Sequence, residues 1–290
     1  VAAVAGGLTV SGATRIDSHQ HFWRLDRGDY RWLTPGLKPL YRDFLPEHLA
    51  PQLAAEGVGR TVLVQAADTE AETAFLLSLA ESAGFVGGVV GWVDMESPAA
   101  PRRLAELAGN PRFKGIRPMI QDIPDPGWML RPGSTPAFEA LIECELSFDA
   151  LVTPEHLDNL LVLLKRHPKL RAVIDHGAKP RIGAGELRPW RRAMAALAEE
   201  TSVCCKLSGL VTEAGERADA ERLQPYVDEL VERFGPERLM WGSDWPVVEL
   251  VMSYRQWNGL TEGLLGNLGP EQRAWILGKT ARGFYRLDGG

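Results

Sequence analysis

The chain has 290 residues, 45% of them hydrophobic and 24% charged, with a formal net charge of −6. That balance supports a large buried core but no basic surface, which argues against nucleic acid as a partner, and no run approaches the ~18 uninterrupted apolar residues of a membrane span. The cysteines Cys144, Cys204 and Cys205 show neither metal-finger spacing nor a ready pairing, which fits a reducing, cytoplasmic setting.

Residues 1–14 are small, apolar and broken by Gly6 and Gly7, and are expected to form a flexible arm ahead of one domain spanning residues 15–290. From there short apolar runs alternate with helical patterns. The first strand, opening at Arg15, runs into His19-Gln20-His21; because strand side chains alternate, both imidazoles are expected on one side, one pleat apart. The segment Phe22 to Pro46, rich in Trp, Tyr, Arg and Pro, is too long for a turn and is expected to cover the strand ends. Further strands are expected at Arg60–Gln65, Phe85–Val93, Phe113–Ile120, Leu146–Val152, Leu170–His176, Ser202–Leu207 and Arg238–Asp244. Between them, Phe75, Leu76, Leu79 and Ala80 recur at helical spacing, a second helix stops at Gly109-Asn110-Pro111, and a third opens at Thr153-Pro154-Glu155.

Eight short strands separated by helices predict a single parallel (β/α)8 TIM barrel, with distortion allowed and a long loop over its mouth. A doubly wound sheet is the alternative, but His19-Gln20-His21 stands where its glycine-rich phosphate loop would be. In a barrel the strand ends converge, bringing together His19, His21, Arg117, Gln121, Asp149, Asp175, His176, Lys206 and Asp244.

Taken singly, each has a plainer role. Asp244 suits a helix cap, His176 a turn, and Arg117 a tie to Asp149 or Asp175. Lys206, inside an apolar run, must either snorkel to solvent or face the site. His48, His156 and His167 fall in helical patterns and are read outside the site, and Cys204 and Cys205 as strand hydrophobes.

Taken together, the motifs Arg15-Ile-Asp-Ser-His-Gln-His-Phe-Trp23, Phe113-Lys-Gly-Ile-Arg117, Val173-Ile-Asp-His-Gly-Ala-Lys-Pro180, Cys205-Lys-Leu-Ser-Gly209 and Trp241-Gly-Ser-Asp-Trp-Pro246 resemble the amidohydrolase superfamily. Within it they are most similar to the branch of TIM-barrel sugar-acid lactonases acting on L-fucono- or L-rhamnonolactone. The resemblance covers Arg15 to Leu287. It implies a small-molecule lactone as substrate and leaves room for a homo-oligomer.

The resemblance also assigns roles. His19, His21, His176 and Asp244 become catalytic residues and the ligands of one divalent ion, Zn2+ before others, with Asp244 as general base. Metal-independent hydrolysis is the alternative, with charge stabilisation from the histidines and Lys206. Arg117, Gln121, Trp32, Tyr30 and Lys206 become substrate-binding residues. The bridging Lys or Glu of two-metal relatives has no counterpart, since strand four offers Arg117, and no histidine ends strand five. A single ion is therefore expected. A decarboxylase of an unsaturated or aromatic acid and a non-catalytic sugar-acid-binding barrel remain the rival functions.

Overall fold

The computed structural model describes residues 15–287, so the expected arm at residues 1–14 lies outside the described residues. Eight strands pair in parallel, in sequence order: β1 (Arg15–Gln20), β2 (Val58–Val64), β3 (Val86–Gly91), β4 (Phe113–Ile116), β5 (Ser147–Ala150), β6 (Arg171–Ile174), β7 (Cys204–Leu207) and β8 (Leu239–Trp241). Helices α1 (Pro46–Ala55), α2 (Glu70–Ser82), α3 (Ala100–Ala108), α4 (Thr135–Glu143), α5 (Leu157–Arg166) and α6 (Arg188–Glu200) follow the first six strands. The pair α7 (Leu210–Ala214) and α8 (Ala220–Phe234) follows β7, and α9 (Tyr254–Leu264) follows β8. This is the (β/α)8 barrel that the alternation predicts.

The ring closes between β8 and β1 just beyond the strand ends. Asp244 N–H donates to the His19 carbonyl at 2.8 Å, and His21 N–H donates to the Trp245 carbonyl at 2.7 Å. The buried Asp17 carboxylate reinforces this seam, accepting the Ser243 N–H at 2.8 Å and the Tyr254 hydroxyl at 3.3 Å. Two site strands are thereby locked to one another by backbone.

Most strands end earlier than the apolar runs suggest. Strand four stops at Ile116 because Pro118 has no N–H to continue the ladder. Strand six stops at Ile174, where the chain enters a tight turn with positive φ at His176, Gly177, Ala178 and Lys179. β1 departs from simple alternation. Its pairing with β2 slips between Asp17 and Gln20, so Ile16 in the interior apolar cluster and His19 beside Lys206 both face the barrel axis, although they are three residues apart.

The bottom of the barrel is filled by Ile16, Val62, Val64, Val90, Val173 and Met240 with Ala281, Tyr285 and Leu287 from the C-terminal segment. That segment is tied across the strands' N-terminal ends by Arg60 to the Leu287 carbonyl at 2.9 Å and Lys114 to the Arg286 carbonyl at 3.2 Å. The outer core, between sheet and helices, is a separate apolar cluster that includes Trp23, Phe44, Phe138, Trp190 and Trp257. Among the described residues no helix is long and apolar enough to cross a membrane.

Candidate active site

The strand ends surround a cavity of about 180 Å³, lined by His21, Trp32, Ala66, Arg117, Met119, Gln121, Asp122, Leu151, His176, Lys179, Asp244 and Val247. His19 lies immediately beneath, fully buried. Four side chains converge at its floor. His19 Nε2 is 3.2 Å from His21 Nε2, His21 Nε2 is 3.3 Å from Asp244 Oδ1, and Asp244 Oδ1 is 3.8 Å from His19 Nε2 and 3.9 Å from His176 Nε2.

Two glycines make this convergence sterically feasible. A Cβ on Gly242 would sit 2.7 Å from the His19 Cβ, and one on Gly209 would sit 2.6 Å from His176 Nδ1. The glycines of Trp241-Gly-Ser-Asp244 and Cys205-Lys-Leu-Ser-Gly209 thus leave the space the imidazoles occupy. Asp244 and His176 themselves hold left-handed backbone, at φ 57° and 53°. Such conformations disfavour residues with a Cβ, and they concentrate where a side chain must be aimed.

Burial pushes His19 and His21 below the ordinary imidazole range and takes His176 down to about 4, so all three are neutral at pH 7. Burial acts to raise the Asp244 carboxyl, but any proton that enters the cluster settles first on His176, His21 or His19, and that charge holds the carboxyl well below the usual range. The floor is therefore an ionised carboxylate among neutral imidazoles.

The donor set fits a metal ion. His21 Nδ1 lies 2.8 Å from the Val64 carbonyl, which can only accept, so Nδ1 carries the proton and Nε2 presents a lone pair. That lone pair faces an Asp244 oxygen, a second acceptor, at 3.3 Å. Two acceptors this close, in a pocket that disfavours imidazolium, call for a cation between them. Ligands around a tetrahedral ion at ~2.0–2.1 Å stand about 3.3 Å apart, matching the His19–His21 and His21–Asp244 separations. Donor atoms of His19, His176 and Asp244 also all lie within 4.8 Å of one another. The Val64 carbonyl fixes His21's tautomer for this role, while Ser208 Oγ, 2.9 Å from His176 Nδ1, orients the third ring.

Beneath the imidazoles a buried polar column descends the barrel axis. Lys206, fully buried, is 3.0 Å from His19 Nδ1, 3.0 Å from Asp175 Oδ1 and 2.6 Å from Asp149 Oδ2. Asp149 in turn accepts from the Tyr285 hydroxyl at 2.5 Å and from Ser147 Oγ at 2.9 Å. Asp175 also stands 3.5 Å from His19 Nδ1 and 3.6 Å from Arg117 Nη1. His19 Nδ1 thus has a donor in Lys206 and an acceptor in Asp175, so both neutral tautomers of this ring are provided for.

Of the residues expected to bind substrate, Arg117, Gln121 and Trp32 line the cavity, whereas Tyr30 and Lys206 do not. Lys206 neither snorkels nor reaches the cavity, because two aspartates and His19 pair it inside the barrel. Tyr30 is buried within the covering loop, its ring tilted against Trp23 and next to Glu72. Trp32 is carried into place by the same loop: Trp23 and Phe44 exchange backbone hydrogen bonds at 2.9 and 3.0 Å, and the Trp32 indole N–H donates to the Ala66 carbonyl at 2.7 Å. Glu72, buried at the start of α2 and pushed up to about 8 by that burial, accepts the Ala66 and Ala67 N–H groups and fixes the turn on which Trp32 hangs. His48 and His156 serve as helix-start acceptors away from the cavity, taking the Leu45 and Thr153 N–H groups.

The profile of the amidohydrolase family matches residues 16–287. The chain belongs to the amidohydrolase family. This amidohydrolase is 48% identical over 278 residues to a protein named L-fucono-1,5-lactonase from Burkholderia ambifaria, a match spanning 94% of this chain and 96% of the relative. A second protein of that name, from Burkholderia multivorans, is 37% identical over 288 residues, 95% of this chain and 97% of the relative. Among solved structures, an amidohydrolase from Burkholderia multivorans with bound zinc superposes with a TM-score of 0.89 at 37% identity, covering 94% of this chain and 99% of that one.

The amidohydrolase site also contains groups that motif reading passed over. Lys179 stands inside the Val173–Pro180 motif, of which Asp175 and His176 alone are expected at the strand ends. Met119, Leu151 and Val247 give no polar signal, and their place in the wall follows from the turns that β4, β5 and β8 make beyond their ends.

Proposed function

We propose that this amidohydrolase opens the ring of a sugar-acid lactone by attack of water at the acyl carbon, with L-fucono-1,5-lactone the first candidate. The observation that carries the reading is the ionised Asp244 carboxylate on the cavity floor, in direct reach of three neutral imidazoles. The names of the relatives at 48% and 37% identity supply the substrate class.

In this mechanism Asp244 takes the proton of the attacking water as the water oxygen bonds to the acyl carbon. It returns that proton to the ring oxygen as the acyl–oxygen bond breaks. A divalent ion held by His19, His21, His176 and Asp244, with zinc the best match to the nitrogen and oxygen donors, would acidify water and polarise the acyl carbonyl. Arg117 shapes the wall while tethered to the Gln65 carbonyl and Asp175. Gln121 offers hydrogen bonds to sugar hydroxyls, and the half-buried Trp32 offers a ring face. The cavity falls below the ~300–1,000 Å³ of sites for drug-sized ligands, which suits one sugar ring.

The test is a pH-indicator assay over aldonolactones, run on protein as purified, after chelation, and after resupply of Zn2+ or Mn2+. The expected result is acidification with L-fucono-1,5-lactone that falls on chelation and returns with the ion. No acidification with any aldonolactone in the metal-supplied protein refutes the function. Undiminished rates after verified metal removal refute the role of the ion.

A further inference from the structure

We infer that Lys179 is the anion-recognising residue of this site, binding the acyl end of the substrate as its oxygen gains charge and then the carboxylate that ring opening produces. The inference rests on the lactonase reading and adds to it a residue and a charge-based selectivity.

Two cationic side chains line the cavity, Arg117 and Lys179. The charge of Arg117 is already committed. It is buried, one terminal nitrogen donates to the Gln65 carbonyl, and the other lies 3.4 Å from His19 Nε2 and 3.6 Å from Asp175 Oδ2. Lys179 is half-buried and, among the described residues, has no side-chain hydrogen bond and no ion pair within 4.0 Å. Its charge is felt by His176 and by Glu213 of α7, but neither pairs with it.

The backbone aims this ammonium from a fixed platform. Lys179 follows three other residues of positive φ and itself holds φ 50°, a conformation that a lysine adopts only at a cost. The turn is anchored by the Lys179 N–H to the His176 carbonyl at 2.9 Å and by the Trp190 indole N–H to the Gly177 carbonyl at 2.7 Å. Pro180 then fixes the exit. An unpaired cation on a rigid turn, in a cavity whose floor carries the Asp244 carboxylate, supplies the charge that an anionic product needs there. The neutral lactone needs it far less.

The experiment compares wild type with Lys179→Met, Lys179→Gln and Lys179→Arg, all zinc-resupplied. Calorimetry measures binding of the aldonate made by alkaline opening of L-fucono-1,5-lactone, with L-fucose as a neutral ligand of the same ring size. The expected result is aldonate binding weakened about 10- to 100-fold in Lys179→Met and Lys179→Gln, largely restored in Lys179→Arg, with L-fucose binding changed less than about threefold. Aldonate affinity equal to wild type in whichever neutral variant folds overturns the inference, as does an equal loss for aldonate and L-fucose. Lactone opening is measured in parallel on wild type. Its absence overturns the lactonase reading, whereas its presence with Lys179-independent aldonate binding overturns this inference alone.

Discussion

Replacing Lys206 by Met keeps the length of the side chain and removes its charge from the middle of the barrel. Lys206 is fully buried between Asp149 Oδ2 at 2.6 Å and Asp175 Oδ1 at 3.0 Å, both carboxylates equally buried. Burial alone raises both carboxyls. Asp149 stays raised despite Lys206, while Lys206 and His19 together hold Asp175 well below the usual range. Breaking a buried pair by deleting one partner costs roughly 3–5 kcal/mol, because the remaining charge is left uncompensated. At ~2–3 °C per kcal/mol for a chain of this size, melting falls by roughly 6–15 °C.

The pH dependence separates this cause from simple loss of packing. Without the ammonium Asp175 loses the largest influence that lowers its carboxyl and Asp149 moves further up, so ionisation of the pair disfavours the folded state more than it does in the wild type. The penalty is absent below the unfolded aspartate range, ~3.9, and grows as pH rises through the raised folded values. The wild type lacks this penalty at Asp175. The stability gap between variant and wild type therefore widens from pH 4.5 to pH 7.5 in denaturant melts. Adding Asp149→Asn to Lys206→Met removes one of the stranded charges and recovers part of the loss. A pH-independent gap, or one below about 1 kcal/mol, refutes the electrostatic account of the column.

Asp244→Asn removes the proposed base while keeping a residue that tolerates the left-handed backbone at φ 57°. Turnover in the pH-indicator assay falls by roughly 10²–10⁴-fold with melting near wild type; near-normal turnover rejects the mechanism. Trp32→Phe keeps an aromatic face against Trp23 but loses the indole bond to the Ala66 carbonyl. KM in the same assay rises by roughly 2–10-fold with kcat little changed, whereas Trp32→Ala raises KM further. An unchanged KM in Trp32→Ala places the substrate elsewhere in the cavity.

The fold was legible because eight apolar runs with interleaved helical periods admit few architectures, and because His19-Gln20-His21 replaced the glycine loop of the competing one. The floor of the site was legible for the same reason: strand ends converge in a barrel, so polar residues closing those runs must meet. Lys206 was harder. An apolar run with one lysine says that the amine either snorkels to solvent or faces the site; that it is instead paired inside the barrel follows only from the fold, which brings Asp149 of β5 and Asp175 just after β6 to within 2.6 and 3.0 Å of it. Tyr285 gave no signal at all, because its role depends on the C-terminal segment folding back under the barrel to reach Asp149. The inward turn of His19 depended on a pairing slip within β1 that residue types do not announce.

These hidden features explain how a strained site is held. Asp244, His176, Ala178 and Lys179 all occupy backbone that disfavours a Cβ, and each such residue costs of order 1–3 kcal/mol. They are not placed at loose loop tips. The segment Ser243-Asp244-Trp245 is sewn to β1 and the residue after it by the Asp244 N–H to the His19 carbonyl, the His21 N–H to the Trp245 carbonyl and the Asp17–Ser243 contact, and the turn carrying His176 is pinned by Trp190 and opens onto Gly209. The column from Tyr285 then fixes the His19 ring from below, while the Val64 carbonyl holds His21 and Ser208 holds His176, leaving the Nε2 edges as the part of the cluster turned toward Asp244 and the cavity. Rigidity beneath and strain above are complementary. A softer barrel interior would let the left-handed residues relax and separate Asp244 from His21, and the close approach of their two acceptors is the geometry on which ion binding and proton transfer both depend.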